Sequence, residues 1–504
     1  MLYDTQVTTL AQALDEVRTF QTELAAVRAQ LEWLRKKLFG GGQGERLDRA
    51  QLLLQLEALE KLVTPSVPKP QLVAAHERER GQKRATPAEN FAHLPVRETI
   101  EIVPEAVQAD PELYEKIGEE ESFEVDIVPP KLFKRRIVRP KYRHRLDRTR
   151  PPVVAPARAR AVPGGYVSAG LLAWIILAKY VEHQPLYRQE QMSVRWGARI
   201  PRQTMVEWIA FAAAWLEVIY QVMRRELLAG GYLQCDETPL RCHDPDVPGT
   251  TVQGWLWALS RPHGDIIFDW RMSRRHAEAT TLLAGFKGVL QSDAYPAYAA
   301  FARENPGVVG AGCWAHARRR FHEALEAAPV QAGFVLRLIG HLYAMEAQWD
   351  EAKTNPADRT RLRQRDFACT LSLLKKVAIL LAAKVRPTTR LGEACSYLLA
   401  QWAPLTAHLE HGQTRLDTNL VENAIRPTKL GAKNWLFIGH PEAGQRSAII
   451  YSIVGSCRRH GIDPLVYLRD VLTRLPSMTN RDDLSALQPS KWKPTASTSS
   501  SSNP

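Results

Sequence analysis

Along residues 7–38 apolar side chains return every seven positions: Leu10, Val17, Leu24, Leu31 and Leu38, with Ala13, Phe20, Val27 and Leu34 offset by three. A seam of this kind over about four heptads predicts a coiled coil, the alternative being an amphipathic helix packed on its own domain. Gly40, Gly41 and Gly42 break it, and a second amphipathic stretch completes a pair of oligomerisation helices over 7–62. Residues 63–92 are Pro-rich, polar and charged, the composition of a linker. Polar and apolar positions then alternate around Thr99–Val103 and Ser122–Val128, which predicts a small strand-rich module over 93–160.

The period changes to that of helices across 161–228. Within it, Y-R-Q-E-Q-M-S-V-R-W-G-A-R-I-P-R-Q-T-M-V-E-W-I reads as helix, Gly turn, helix. Gly197 supplies the turn and Pro201 suits a first helical turn, so Arg202, Gln203 and Thr204 stand at the exposed start of the second helix. A DNA-reading helix presents its side chains from that position, although helix pairs with Gly turns are common in other proteins.

From Gly231 the rhythm shortens. G-Y-L-Q-C-D, G-W-L-W-A-L and D-I-I-F-D-W predict a three-stranded meander, followed by a helix over His276–Phe286. G-V-L-Q-S-D and V-V-G-A-G-C-W predict two further strands. Three adjacent strands, a helix and a fourth strand are the order of a ribonuclease-H-like α/β fold, assigned to 229–440. Residues 317–410 are helical by pattern and read as an insertion in that fold. Helices continue over 441–480, and 481–504, ending in a Ser/Thr-rich run, reads as a disordered tail. The fold class is therefore multidomain, α and α/β.

Composition adds a partner. The 504 residues carry a formal net charge of +13, and a 45% hydrophobic content supplies real cores. Such an excess of positive charge points to a polyanion, of which nucleic acid is the commonest. The charge is densest in K-L-F-K-R-R-I-V-R-P-K-Y-R-H-R-L-D-R-T-R, where Lys134, Arg135, Arg136, Arg139, Lys141 and Arg143 lie among further cations and a single acid, Asp147. Phosphate contact is the natural role for that segment, a solvated basic loop the alternative. No apolar run approaches the roughly 20 residues of a membrane span, and no secretory signal is seen. The six cysteines are scattered, without a disulfide framework or a CxxC pair, which fits a reducing cytoplasm.

Two carboxylates stand out chemically. Asp236 ends the first predicted strand and Asp293 the fourth, so both reach the rim of a sheet, where hard oxygen donors suit Mg²⁺ or Mn²⁺. In D-T-N-L-V-E-N-A-I-R-P, Asn419, Glu422, Asn423 and Arg426 share one helix face, and Pro427 falls where that helix should end or kink. Each acid taken alone also reads as an ordinary surface carboxylate.

The segments L-Q-C-D-E-T-P, L-Q-S-D-A-Y, C-W-A-H-A-R-R-R-F, N-L-V-E-N-A-I-R-P and N-W-L-F-I-G, with H-Q-P-L-Y-R-Q-E and W-L-R-K-K-L-F-G upstream, resemble the insertion-sequence-66 family of bacterial transposases over about residues 20–475. The resemblance implies a DDE transposase with Asp236, Asp293 and Glu422 as catalytic metal ligands. It implies two Mg²⁺ or Mn²⁺ ions roughly 3.5–4 Å apart, cleavage of the element's 3′ ends and their transfer to target DNA. Arg426, Lys429 and Lys433 become candidate phosphate contacts. The implied partners are the terminal inverted repeats, target DNA, a second copy through the coiled coil and small accessory proteins of the element. The expected location is the bacterial cytoplasm, on the nucleoid, with no membrane partner. Cys313 and His316 fall in C-W-A-H; two ligands do not close a tetrahedral site, so no zinc is expected and His316 is assigned a structural or DNA-positioning role.

Two departures stand against the family pattern. Members often carry a cysteine zinc finger after the coiled coil, and residues 91–160 hold no cysteine. G-G-G-Q-G-E-R is less basic than the form typical after K-L-F-G, which weakens a DNA contact there. The rival functions are a metal-dependent nuclease of the same fold without strand transfer, and a catalytically silent DNA-binding protein.

Overall fold

A computed structural model describes residues 151–479 and 481–494 throughout, with scattered positions between 92 and 149. The expected coiled coil and linker lie outside the described residues. The chain divides into two units, Met1–Glu124 and Val125–Pro504. In the first, the described residues include a short helix α1 (Glu105–Ala109) and a 3-10 turn at Pro111–Leu113.

Near the start of the second unit the basic segment carries no helix or strand from Lys131 to Pro140 and is exposed except at Leu132. Its ladder of β1 (Lys141–Tyr142) and β2 (Val153–Val154) pairs two residues on each side, all four exposed. Among the described residues of the strand-rich module expected over 93–160, the assigned strands are β1 and β2.

Three helices follow: α2 (Ala169–Tyr180), α3 (Leu186–Arg195) and α4 (Arg202–Leu228). Gly197, at φ +101°, turns the chain between the last two, a conformation that costs glycine nothing. Helix α4 is long and apolar enough to cross a membrane by length and composition, contrary to the expectation that no run came near that length. Its apolar side chains have another destination, because Met205, Trp208, Leu216, Ile219, Tyr220 and Met223 are buried in the core.

A five-stranded sheet then forms in the order β5-β4-β3-β6-β7. Strands β3 (Tyr232–His243), β4 (Thr251–Ser260) and β5 (Ile266–Arg271) are the expected antiparallel meander. After α5 (His276–Leu282), β6 (Gly288–Gln291) lies parallel to β3. After α6 (Pro296–Glu304), β7 (Val308–Ala311) lies parallel to β6.

The chain then leaves the sheet for α7 (Trp314–Glu323), α8 (Pro329–Glu351), α9 (Pro356–Lys384), α10 (Arg390–Ala400) and α11 (Trp402–Thr406). These helices build a separate apolar core around Trp314, Phe321, Ile339, Phe367, Leu374 and Leu398. The chain returns through α12 (Asn419–Trp435), α13 (Pro441–Arg459) and α14 (Pro464–Arg474). Helix α12 continues past Pro427 instead of ending there; the proline withholds one N–H from the ladder and the remaining turns carry on.

Helix α13 protects the open edge of the sheet. Gln445 Oε1, Ser452 Oγ and Ser456 Oγ accept from the N–H groups of Trp270, Phe268 and Ile266 at 3.1, 2.8 and 2.9 Å. Three edge donors of β5 that would otherwise recruit another strand are thereby satisfied. The helix approaches closely because Gly444 faces the Trp270 indole, and a Cβ there would lie 2.4 Å from the ring. Gly444→Ala is expected to destabilise the unit by about 1–3 kcal/mol, read as a lower urea midpoint.

One apolar core joins α2, α3 and α4 to the sheet and to α13 and α14. The expected disordered tail over 481–504 is corrected for its first part. Leu487 and Gln488 are fully buried, Tyr467 Oη donates to the Leu487 carbonyl at 2.5 Å, and Trp492 Nε1 donates to Asp470 at 2.8 Å. Polar composition concealed one leucine and one tryptophan that find a groove; residues 495–504 lie outside the described set.

Candidate active site

Strand β3 delivers the first acid. It runs on past Asp236 to His243, so Asp236 is interior to the strand and not its last residue. Its pairing with β6 ends at Gln234↔Gln291, however, and beyond that point β3 is paired only with β4. Asp236 thus stands where β3 outruns its parallel neighbour. Asp293 lies two residues past the end of β6. Its carboxylate accepts from the Tyr295 N–H at 3.0 Å, and Asp236 accepts from the Glu237 N–H at 2.9 Å.

Two buried amides bring the third acid to this rim. Gln234 and Gln291 each precede an aspartate by two residues, and side chains two apart share a face of a strand. Gln234 Nε2 donates to Gln291 Oε1 at 2.9 Å and to the Asp417 carbonyl at 2.8 Å. Gln291 Nε2 donates to the carbonyls of Arg415 and Gly312 at 2.8 and 3.1 Å. Tyr232 Oη completes the set, donating to Gln291 Oε1 at 2.5 Å and accepting from the Arg415 N–H at 3.0 Å. The loop at 415–417 is thereby tied down to the sheet, and α12 starts immediately after it. Glu422, in the first turn of α12, accepts from Thr418 Oγ1 at 2.9 Å, with Arg319 and His316 at 3.8 and 3.9 Å.

The electrostatics of the cluster follow from this crowding. Burial first, then Glu237 and Asp293, with Glu422 adding, pushes the Asp236 carboxyl up to about 7. Glu237 is also raised, chiefly by burial, while the Tyr298 hydroxyl at 2.6 Å and Arg274 at 3.1 Å oppose the rise. Arg274 itself lies over Tyr295, its guanidinium carbon 3.9 Å from the ring centre, and over Trp255 at 4.7 Å. Since the Tyr295 N–H holds Asp293, this one guanidinium braces both aspartate-bearing segments.

Sequence reasoning did not single out Gln234, Gln291, Glu237, Arg274, Tyr295 or Thr418. The repeated L-Q-x-D was a usable signal for the two glutamines. Nothing local signals Arg274, whose partners are distant in sequence.

The remaining candidates are dispersed. Lys429 Nζ donates to the Pro239 carbonyl at 2.8 Å, which fastens α12 across β3. Arg426 and Lys433 are exposed on the same helix, and Asn419 is turned to Asp417 at 2.9 Å. Arg202 and Gln203 are exposed at the start of α4, and Thr204 is half-buried. Lys134, Arg135, Arg136, Arg139, Lys141 and Arg143 are exposed, and Arg139 donates to the Ala155 carbonyl at 3.1 Å. Leu132 N–H donates to the Trp196 carbonyl at 3.1 Å, which seats the basic segment beside the turn between α3 and α4. Cys313 is buried and lies with His316 against Glu422.

Comparison with known proteins bears on this arrangement. A family model described as "Transposase IS66 family" matches residues 164–446, and one described as "IS66 C-terminal element" matches residues 452–490. Two curated relatives come from Sinorhizobium fredii. "Uncharacterized protein y4qI" is 34% identical over 439 residues, covering 82% of this chain and 79% of the relative. "Uncharacterized protein y4jD" is 32% identical over 490 residues, covering 93% and 94%. No solved structure matches. From the sheet rim to the C-terminal helices, the chain belongs to the IS66 family of transposases, a DDE-type family whose chemistry depends on divalent metal ions.

Proposed function

We propose that this transposase cleaves the 3′ ends of its own element and joins them to target DNA by phosphoryl transfer, with Asp236, Asp293 and Glu422 as its catalytic metal ligands. The observation that carries this reading is the gathering of Asp236, Glu237, Asp293 and Glu422 at the sheet rim, where burial first and the neighbouring carboxylates second raise the Asp236 carboxyl to about 7. Such a cluster is costly unless a cation relieves it, and hard oxygens from rigid elements are the donors Mg²⁺ and Mn²⁺ take. Two ions bound there would supply the Lewis acidity that activates a water and stabilises the leaving 3′ oxygen.

Within this reading Asp236, Asp293 and Glu422 would hold the ions. The Gln234–Gln291 bridge keeps Glu422 in register with the aspartates, and Arg274 keeps the aspartate segments apart at a set distance. Arg426 and Lys433 offer charge to DNA phosphates from α12. Lys429 joins them only by exchanging its bond to Pro239. The strand order, with a three-stranded antiparallel meander and two parallel strands added at its first strand, supports a ribonuclease-H-like core. We read α3, the Gly197 turn and α4 as a helix-turn-helix. The exposed cations of 131–143 beside it add sequence-independent affinity. The heptads of 7–38 support a dimer that pairs both element ends, and accessory proteins of the element join that assembly. Action on the bacterial chromosome sets the location as the cytoplasm.

The test incubates purified protein with labelled DNA bearing its element's ends and Mg²⁺ or Mn²⁺, beside a Glu422→Gln variant. The expected result is 3′ nicks and joined products, both reduced about a thousandfold or more in the variant, the scale of losing several kcal/mol of charge stabilisation. Equal cutting of DNA without element ends would favour the nuclease reading. Binding without cleavage by the wild type would favour the silent DNA-binding reading, and cleavage that survives in the variant would remove Glu422 from the ligand set.

A further inference from the structure

We propose that Cys313, His316 and Glu422 form a zinc site that shares Glu422 with the carboxylate cluster. In sequence C-W-A-H supplies only two ligands. The fold adds a third, because the loop tied down by Gln234 and Gln291 sets the start of α12 against the start of α7. One ligand atom from each of the three residues then lies within 4.8 Å of the others.

Three further observations point to a cation. Nδ1 of His316 is buried without a hydrogen-bond partner and sits 3.9 Å from Glu422 Oε1. Buried polar atoms are normally satisfied, so an unpartnered imidazole nitrogen beside a carboxylate and a thiol asks for a ligand. Thr418 ties two of the ligands together: its N–H donates to Cys313 Sγ at 3.4 Å, and its hydroxyl donates to Glu422 Oε1 at 2.9 Å while lying 3.2 Å from the same sulfur. Such outer contacts orient metal ligands. Finally, Cys313 caps α7 and His316 lies in its first turn, so both sit on a rigid frame.

A sulfur, an imidazole nitrogen and one carboxylate oxygen are a borderline-soft donor set, which selects Zn²⁺ over Mg²⁺ and leaves a fourth position for water. Bonds of about 2.0–2.3 Å require the ligand atoms to draw in by roughly 1 Å. The side chains of His316 and Glu422, 25% and 21% exposed, have room to turn. On binding, the Cys313 S–H proton leaves to solvent and no oxidation state changes. The consequence for activity rests on the reading of Glu422 given above: a zinc ion that claims this carboxylate withdraws it from the hard-metal site, so zinc opposes Mg²⁺-dependent cleavage.

The test titrates Co²⁺ as a spectroscopic substitute for zinc into the full, chelator-treated chain under a phosphine reductant. The expected result is a thiolate-to-cobalt charge-transfer band of one equivalent. It should be lost in Cys313→Ser and His316→Gln, and kept in Cys369→Ser, which removes the exposed cysteine. Glu422→Gln should weaken cobalt binding at least about tenfold, and competing Zn²⁺ should erase the band. No band in the wild type, or a band that persists in a folded His316→Gln chain, overturns the site. Near-ultraviolet circular dichroism establishes that each variant is folded. Zinc that produces the site but leaves cleavage in Mg²⁺ unchanged overturns the sharing of Glu422. A wild-type chain that binds cobalt and does not cut DNA supports the site and counts against the transposition chemistry.

Discussion

Without metal at pH 8, Asp236→Asn is expected to be more stable than the wild-type chain, although it should cut no DNA. The Asp236 carboxyl is raised from 3.8 to about 7 on folding, mainly by burial and by Glu237 and Asp293. An acid whose folded value lies above its unfolded one binds more protons in the folded state between the two. Stability therefore falls as pH rises from about 4 through about 7, and the full penalty is present above that window. At 1.36 kcal/mol per unit the penalty is on the order of 2–4 kcal/mol. The asparagine variant carries none of it, so the gap between the two proteins should shrink as pH is lowered from 8 toward 5. Mg²⁺ should raise the wild-type melting temperature and leave the variant's almost unchanged. Thermal melts across that pH range, in EDTA and in Mg²⁺, read all three effects. A variant that melts no higher than wild type in EDTA at pH 8 would show that the crowding is not a cost.

Arg363→Met should lower stability by about 3–5 kcal/mol, the scale of breaking a buried ion pair on one side. Arg363 is fully buried, and its Nε donates to Glu346 at 2.5 Å. The rest of its guanidinium donates to the His408 and His411 carbonyls, to Thr414 Oγ1 and to the Thr414 carbonyl, at 2.8–3.0 Å. Arg359 shares Glu346 at 2.7 Å. These bonds fasten α8 and α9 to the segment that leads into Asp417 and Glu422, so the loss should reach the site as well as the insertion's core. Removing the arginine leaves Glu346 with a buried charge half compensated and several carbonyls without donors. The double variant Arg363→Met/Glu346→Leu should recover part of the loss, because a neutral apolar pair pays no desolvation penalty. Urea denaturation of the three proteins measures this. A single variant less than about 1 kcal/mol below wild type would contradict the network's role.

Helices and strands were legible wherever burial leaves a pattern. The short apolar run in D-I-I-F-D-W belongs to a strand buried on both faces, and the 3.6-residue period of 202–228 to a helix buried along one stripe. The same logic misled at 481–494, where Leu487 and Trp492 are too few to register as a pattern. Pro427 read as an end or a kink, but the helix continues beyond it, where Lys429 Nζ donates to the Pro239 carbonyl of β3, a contact that no local rule includes.

What the sequence by itself determined is the order of elements and two strand-end aspartates, because periodicity and turn residues are local properties; Glu422 joined them through the family resemblance of its motif. Only the tertiary structure decided that these acids share an environment. Gln234 reaches a carbonyl 183 positions away, and Gln291 one that is 124 positions away. Those two amides set where α12 begins, hence where Glu422 stands relative to Asp236 and to Cys313 and His316. The raised carboxyl of Asp236 and the meeting of sulfur, imidazole and carboxylate depend on burial and distance, which arise only when remote segments pack together.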